Sequence, residues 1–92
     1  MHVLRIQHAT PDYPAWKAAF DSEPLDRTAC GVRRHRVLRP ADDPGVVMID
    51  LEFETADEAR AVLAALREMW TKVTLVRRPE AVLAELVEVQ EY

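Results

Sequence analysis

The stretch VVMIDLEFE, Val46 to Glu54, alternates over nine residues and therefore reads as a β-strand with two unlike faces. Val47, Ile49, Leu51 and Phe53 lie on one face; Val46, Met48, Asp50, Glu52 and Glu54 lie on the other. The apolar face requires a cover of helices. The opposite face, apolar at one end and acidic at the other, requires partners of its own. Every other segment has to be compatible with this two-faced strand.

Directly after it, TADE is a capping box, with Thr55 as N-cap and Glu58 three residues on. The helix it starts carries Ala59, Val62, Leu63, Leu66 and Trp70 as its buried stripe. Directly before it, PADDPG places Pro44 and Gly45 at favoured turn positions, so a strand from about Val32 to Arg39 should form an antiparallel hairpin with it.

The chain opens with another alternating strand, HVLRIQH. Leu4, Ile6 and His8 form its core face, and Val3, Arg5 and Gln7 the opposite one. In the following HATPDYPAWKAAFD, Asp12 is a helix N-cap and Pro14 falls in the first turn, where a missing N–H costs nothing. Tyr13, Trp16 and Phe20 recur at helical spacing. Pro24 should break this helix near Asp21 to Pro24; a short turn then runs from Leu25 to Ala29, and Gly31 supplies a stop.

RPEAVLAELVEVQEY fits a helix through Val82, Leu83, Leu86 and Val87 about as well as a strand through Leu83, Val87 and Val89. Topology favours a strand from about Glu80 to Val89, because β-α-β-β-α needs a fourth strand to complete a split βαβ sandwich. The expected fold is thus α+β, a ferredoxin-like βαββαβ chain forming one domain over residues 1–92. Its antiparallel sheet has helices on one face only. The bare face, with Val3, Arg5, Gln7, Val46, Met48, Asp50 and Glu52, is an expected interaction surface. Two copies joined there would close a barrel, a homodimer through the helix-free sheet face.

A chain of 92 residues buries only about two-thirds of its unfolded surface, which makes a subunit partner plausible. No apolar run approaches the roughly 20 residues of a membrane span, and no export signal is visible, so no membrane partner is expected. The single Cys30 cannot form an internal disulfide and suits a reducing, cytoplasmic setting; it reads as a buried or idle thiol. The net charge of -4 weighs against nucleic-acid binding. RRHRVLR, Arg33 to Arg39, is locally basic, but Asp42, Asp43, Asp50, Glu52 and Glu54 follow it and can pair with it across the hairpin.

Gly31 and Gly45 cannot build a phosphate loop, and neither H-E-x-x-H nor paired cysteines occur, so no cofactor and no metal are expected. His2 and His8 share a strand face but stand on the order of 20 Å apart at strand rise, too far to hold one metal. His8, at the end of the first strand, is a candidate general base, unless it serves to hydrogen-bond the turn into the first helix. His35 is a second candidate: one hairpin register sets it beside Asp50 as a base with its carboxylate partner. A register shifted by one pairs Arg36 with Asp50 and Arg34 with Glu52 instead, and this ladder satisfies more charges. Tyr13, Trp16, Phe20 and Trp70 read as core rather than a ligand cage, as do Met48 and Met69.

The run D-Y-x-x-W-K-x-x-F-D at Asp12 to Asp21, followed by the D-D-P hairpin at Asp42 to Pro44, resembles small dimeric α/β-barrel proteins of the ferredoxin-like class. These are the antibiotic-biosynthesis monooxygenase-type and cyclase-like proteins, and the resemblance spans nearly the whole chain. It implies a homodimer with a pocket between sheet and helices in each subunit. It also implies a small, largely apolar ligand, aromatic or polyketide-like, and cofactor-free monooxygenase, cyclase or isomerase chemistry. A non-catalytic dimeric binding or structural module is the alternative. The resemblance supplies no catalytic signature, so His35, His8 and Asp50 rest on the residues alone.

Overall fold

A computed structural model describes all 92 residues. In chain order the elements are β1 (His2–Ala9), α1 (Tyr13–Asp21), β2 (Arg34–Leu38), β3 (Val46–Phe53), α2 (Ala56–Trp70) and β4 (Arg77–Glu85). They make one four-stranded antiparallel sheet ordered β2-β3-β1-β4. This is the βαββαβ ferredoxin-like arrangement, with β1 and β3 in the centre.

Both helices start as their sequences specify. Asp12 accepts a hydrogen bond from the Ala15 N–H at 3.1 Å, ahead of Pro14 in the first turn. At α2 both halves of the capping box form: Glu58 N–H donates to Thr55 Oγ1 at 3.1 Å, and Thr55 N–H to Glu58 Oε1 at 3.2 Å. Alternation in β1 and β3 then directs Leu4, Ile6, Val47, Ile49, Leu51 and Phe53 toward Trp16 of α1 and Ala59 and Val62 of α2. Phe53, Leu4 and Val47 are completely buried there.

The hairpin register is the ladder: Arg34 stands opposite Glu52, His35 opposite Leu51 and Arg36 opposite Asp50. β2 is shorter than its expected span of Val32 to Arg39, because Val32 N–H turns back to the Arg27 carbonyl.

The last segment is a strand, but its bounds differ from the expected Glu80 to Val89. It ends at Glu85 because its partner β1 ends: Glu85 pairs with His2, and only the Leu86 N–H finds one more acceptor, the Met1 carbonyl. At its other end it begins at Arg77, by way of a β-bulge. Between the pairs Gln7–Glu80 and Ala9–Arg77, β1 has one residue, His8, while β4 has two, Arg78 and Pro79. Arg78 takes a left-handed φ of 51°. Pro79, which has no N–H to give a ladder, is accommodated at this irregularity.

Candidate functional site

The bulge lies beside His8, whose side chain points to the helix-covered side of the sheet and is 3% exposed. Its Nδ1 is 3.0 Å from the Ala9 carbonyl oxygen. A carbonyl only accepts, so Nδ1 carries the proton and, in the neutral ring, Nε2 holds the lone pair. Burial pushes the imidazole below its ordinary value of 6.5, against the opposing pull of the Ala9 hydrogen bond. The ring is therefore neutral at pH 7, with Nε2 free to take a proton. The only buried side-chain nitrogen or oxygen without a partner is His2 Nδ1, so His8 Nε2, which bonds to nothing in the chain, still opens onto free space.

That space is a partly open cavity of about 140 Å³ between the sheet and the two helices, bordered by the segments that follow each helix. Sixteen of its 19 lining residues are hydrophobic; the others are His8, Pro24 and Arg27. One wall is a row of rings. His8 lies 5.4 Å from Trp16, and Trp16 stacks on Phe20 at 5.1 Å between centroids. The Arg27 guanidinium carbon sits 3.7 Å from the centre of the Phe20 ring, at the end of that row away from His8. Arg27 Nη2 also donates to the Phe20 carbonyl at the end of α1, which accepts the Glu23 N–H as well. Val62, Leu66, Met69 and Trp70 of α2 form another part of the wall.

The expected site residues are thus separated by the fold. His8 lines the cavity; His35 and Asp50 do not. His35 is exposed and meets the edge of the Phe20 ring at 5.3 Å between centroids. Asp50 points to the other side of the sheet, where Arg5 holds it with two hydrogen bonds, of 2.9 and 3.0 Å, and Arg36 adds a third at 3.0 Å. The His35–Asp50 pair does not form, because residues one apart in a strand point to opposite faces. The Arg5 guanidinium holds the Asp50 carboxyl below its usual range, and Arg34 does the same for Glu52 despite the desolvation of both.

Trp16, Phe20 and Trp70, read from the sequence as core, line the cavity as well as packing in or against the core, and Met69, read the same way, lines the cavity. Helical spacing marks an apolar face but does not say whether the opposing layer fills it. Cys30 lines the same cavity, half-buried and free. Arg27 was absent from the sequence candidates; its one visible signal was a cation in a Pro-broken segment seven residues after Phe20. No group of three or more His, Cys, Asp or Glu side chains is arranged to hold a metal ion. No helix is long and apolar enough to cross a membrane.

No family model and no curated protein matches the chain. Its fold is found among solved structures. A point mutant of MhuD, with two manganese protoporphyrin IX molecules bound per active site, is 12% identical with a TM-score of 0.72, and the match covers 100% of both chains. A dimeric ferredoxin-like protein from an uncultured marine organism is 11% identical with a TM-score of 0.66, again over 100% of both chains. A point mutant of SnoaB, a cofactor-independent oxygenase from Streptomyces nogalater, is 19% identical with a TM-score of 0.65, over 96% of this chain and 94% of that one. At such identities the likeness is one of fold, and it is the fold that the sequence resemblance implies.

Proposed function

We propose that the chain binds a small aromatic molecule in the cavity between sheet and helices, and that His8 Nε2 removes a proton from it to begin a cofactor-free oxygenation. One observation carries this reading: a neutral imidazole with a free Nε2 opens into an otherwise apolar space beside a row of aromatic rings. Oxygenation, cyclisation and isomerisation of such compounds share this first step. The likeness in fold to SnoaB favours oxygenation. The substrate's acidic C–H or O–H bond breaks, its proton goes to Nε2 and its electron pair stays on the ring; dioxygen takes that pair as it forms a C–O bond to a ring carbon, the proton returns to make the hydroperoxide, and cleavage of its O–O bond with loss of the ring C–H proton releases water and leaves a quinone.

The cavity volume sets the ligand's size. About 140 Å³ matches the roughly 150 Å³ apolar cavity that accepts one benzene. A single ring therefore fits the enclosed part, and the further rings of a polyketide-like molecule would project from it.

The helix-free face supports a homodimer. On that side Leu38, 44% exposed, stands opposite Met48, and Val82, 57% exposed, stands opposite Arg5, and the marine neighbour of the same fold is described as dimeric. Sedimentation at micromolar concentration tests this, and a stable monomer would overturn it.

Trp16 and Trp70 line the cavity and serve as its probes. Single-ring phenols should quench their fluorescence saturably, and Val62→Phe, which fills the space, should abolish the effect. No saturable quenching of the folded protein at millimolar phenol would overturn the ligand reading. Oxygen uptake with a bound phenol should be lost in His8→Gln while quenching persists; unchanged uptake would remove His8 as the base. Binding with no uptake in the wild type would leave the non-catalytic binding module.

A further inference from the structure

We infer that the molecule taken by the cavity carries an acidic group, a carboxylate or phenolate, and that Arg27 receives it. This rests on reading the cavity as a ligand site. Arg27 is the one cation among the lining residues, and no aspartate or glutamate lines the cavity at all. With His8 neutral, Arg27 is the one charged side chain among the lining residues, and its partner Glu23 is not among them, so an anion is the ligand charge the lining can pair with. The Arg27 side chain is only 13% exposed. A guanidinium cannot shed its proton and needs partners for five N–H donors when it is taken from water.

Within the chain those partners are few. Nη2 serves the Phe20 carbonyl, the Phe20 ring covers one face, and Nη1 lies 3.2 Å from Glu23 Oε1. The last contact is the weak one. The Glu23 side chain is 54% exposed, so its ion pair is open to water and salt. Glu23 also reaches this position from a left-handed φ of 51°, directly before Pro24, which itself lines the cavity. A half-exposed carboxylate, reached from a strained backbone, thus occupies the Nη1 donor that a ligand carboxylate would take. The two polar side chains of the cavity thus divide the work: Arg27 orients the acid and His8 stands at the opposite end of the aromatic row.

Benzoate and benzyl alcohol differ in charge and share one ring, so their affinities, read by tryptophan fluorescence at low salt, isolate the effect. The wild type should bind benzoate about tenfold or more tightly than benzyl alcohol, the scale of a charge-assisted pair in a dry site. Arg27→Gln, which can still donate to the Phe20 carbonyl, should bring that ratio toward one; Arg27→Lys should keep part of it, and Glu23→Gln should raise it. Equal wild-type affinities, or an unchanged ratio in Arg27→Gln, would overturn the inference and leave the ligand site standing. Binding of neither probe by the folded protein would overturn both.

Discussion

Arg36 stands directly across the hairpin from Asp50, nitrogen to oxygen at 3.0 Å, and Arg5 grips the same carboxylate from β1 on the other side. Three strands are thereby tied through one side chain that is 4% exposed, while the two arginine heads remain 57% and 56% exposed. The carboxylate is covered by its own partners.

Removing that carboxylate should cost stability without leaving a buried charge behind, because both arginines can return to water. Asp50→Asn is expected to lose about 1–3 kcal/mol, the range for charge-assisted hydrogen bonds. In a domain of this size each 1 kcal/mol lowers Tm by roughly 4–8 °C. Glu54→Gln, at the exposed Arg33–Glu54 pair, should change stability by no more than about 1 kcal/mol. Thermal unfolding of the two variants compares them directly.

Much of this was legible in the sequence. Alternation in Val46 to Glu54 fixed which residues face the helices, and the capping box and Pro14 located both helix starts. The two strand registers differed only in whether more charges found partners, and the fold took the one that pairs them. What could not be read was how well the layers meet: Phe20 and Trp70 at helical spacing look alike whether they fill a core or border a gap. The bulge was equally hidden, since Arg78 and Pro79 signal an irregularity only once Gln7 and Ala9 are known to bracket them. The end of β4 was lost because Leu86 to Val89 has strand character of its own, while the partner strand had no residues left to pair with it.

Stability should fall as pH falls, through two contributions with different onsets. The unfolded chain takes a proton on His8 near 6.5, whereas the folded chain resists it to lower pH, so stability declines as pH drops from about 6.5 toward the folded value and then levels. Asp50 and Glu52, depressed below their ordinary 3.8 and 4.5, add a second loss that begins near those values and completes as pH passes through the folded ones. Urea midpoints between pH 3 and 8 measure both. His8→Gln should remove the upper contribution and keep the lower.

Gly31 adopts a φ of 93°, and a Cβ there would stand 2.8 Å from Glu58 Cδ. Glu58 is not free to yield without weakening the capping box at Thr55. Gly31→Ala should therefore cost about 1–3 kcal/mol. Part of this cost should disappear in a Glu58→Ala background, which a double-mutant cycle of urea midpoints would reveal.

Arg78→Gly keeps the bulge and removes the penalty on a left-handed φ, which is about 1–2 kcal/mol for a residue with a Cβ. It should stabilise the chain modestly and leave phenol quenching unchanged. Deleting Arg78 should act in the opposite sense, because the residues before it then point to the wrong faces opposite His8 and Ala9. Loss of phenol quenching on deletion, with retention in the glycine variant, is the expected pair of results.

The same bulge has a consequence for how copies of the chain meet in crowded solution. β4 is an outer strand of the sheet, a position that invites edge-to-edge pairing and fibre growth. Pro79 withholds a donor and the bulge interrupts the regular spacing, so an incoming strand finds no continuous template on that side. On the opposite border β2 is only five residues long and carries Arg34 and Arg36. Both rims of the sheet are thus guarded against aggregation, and on one of them the guard is the irregularity that lies beside His8.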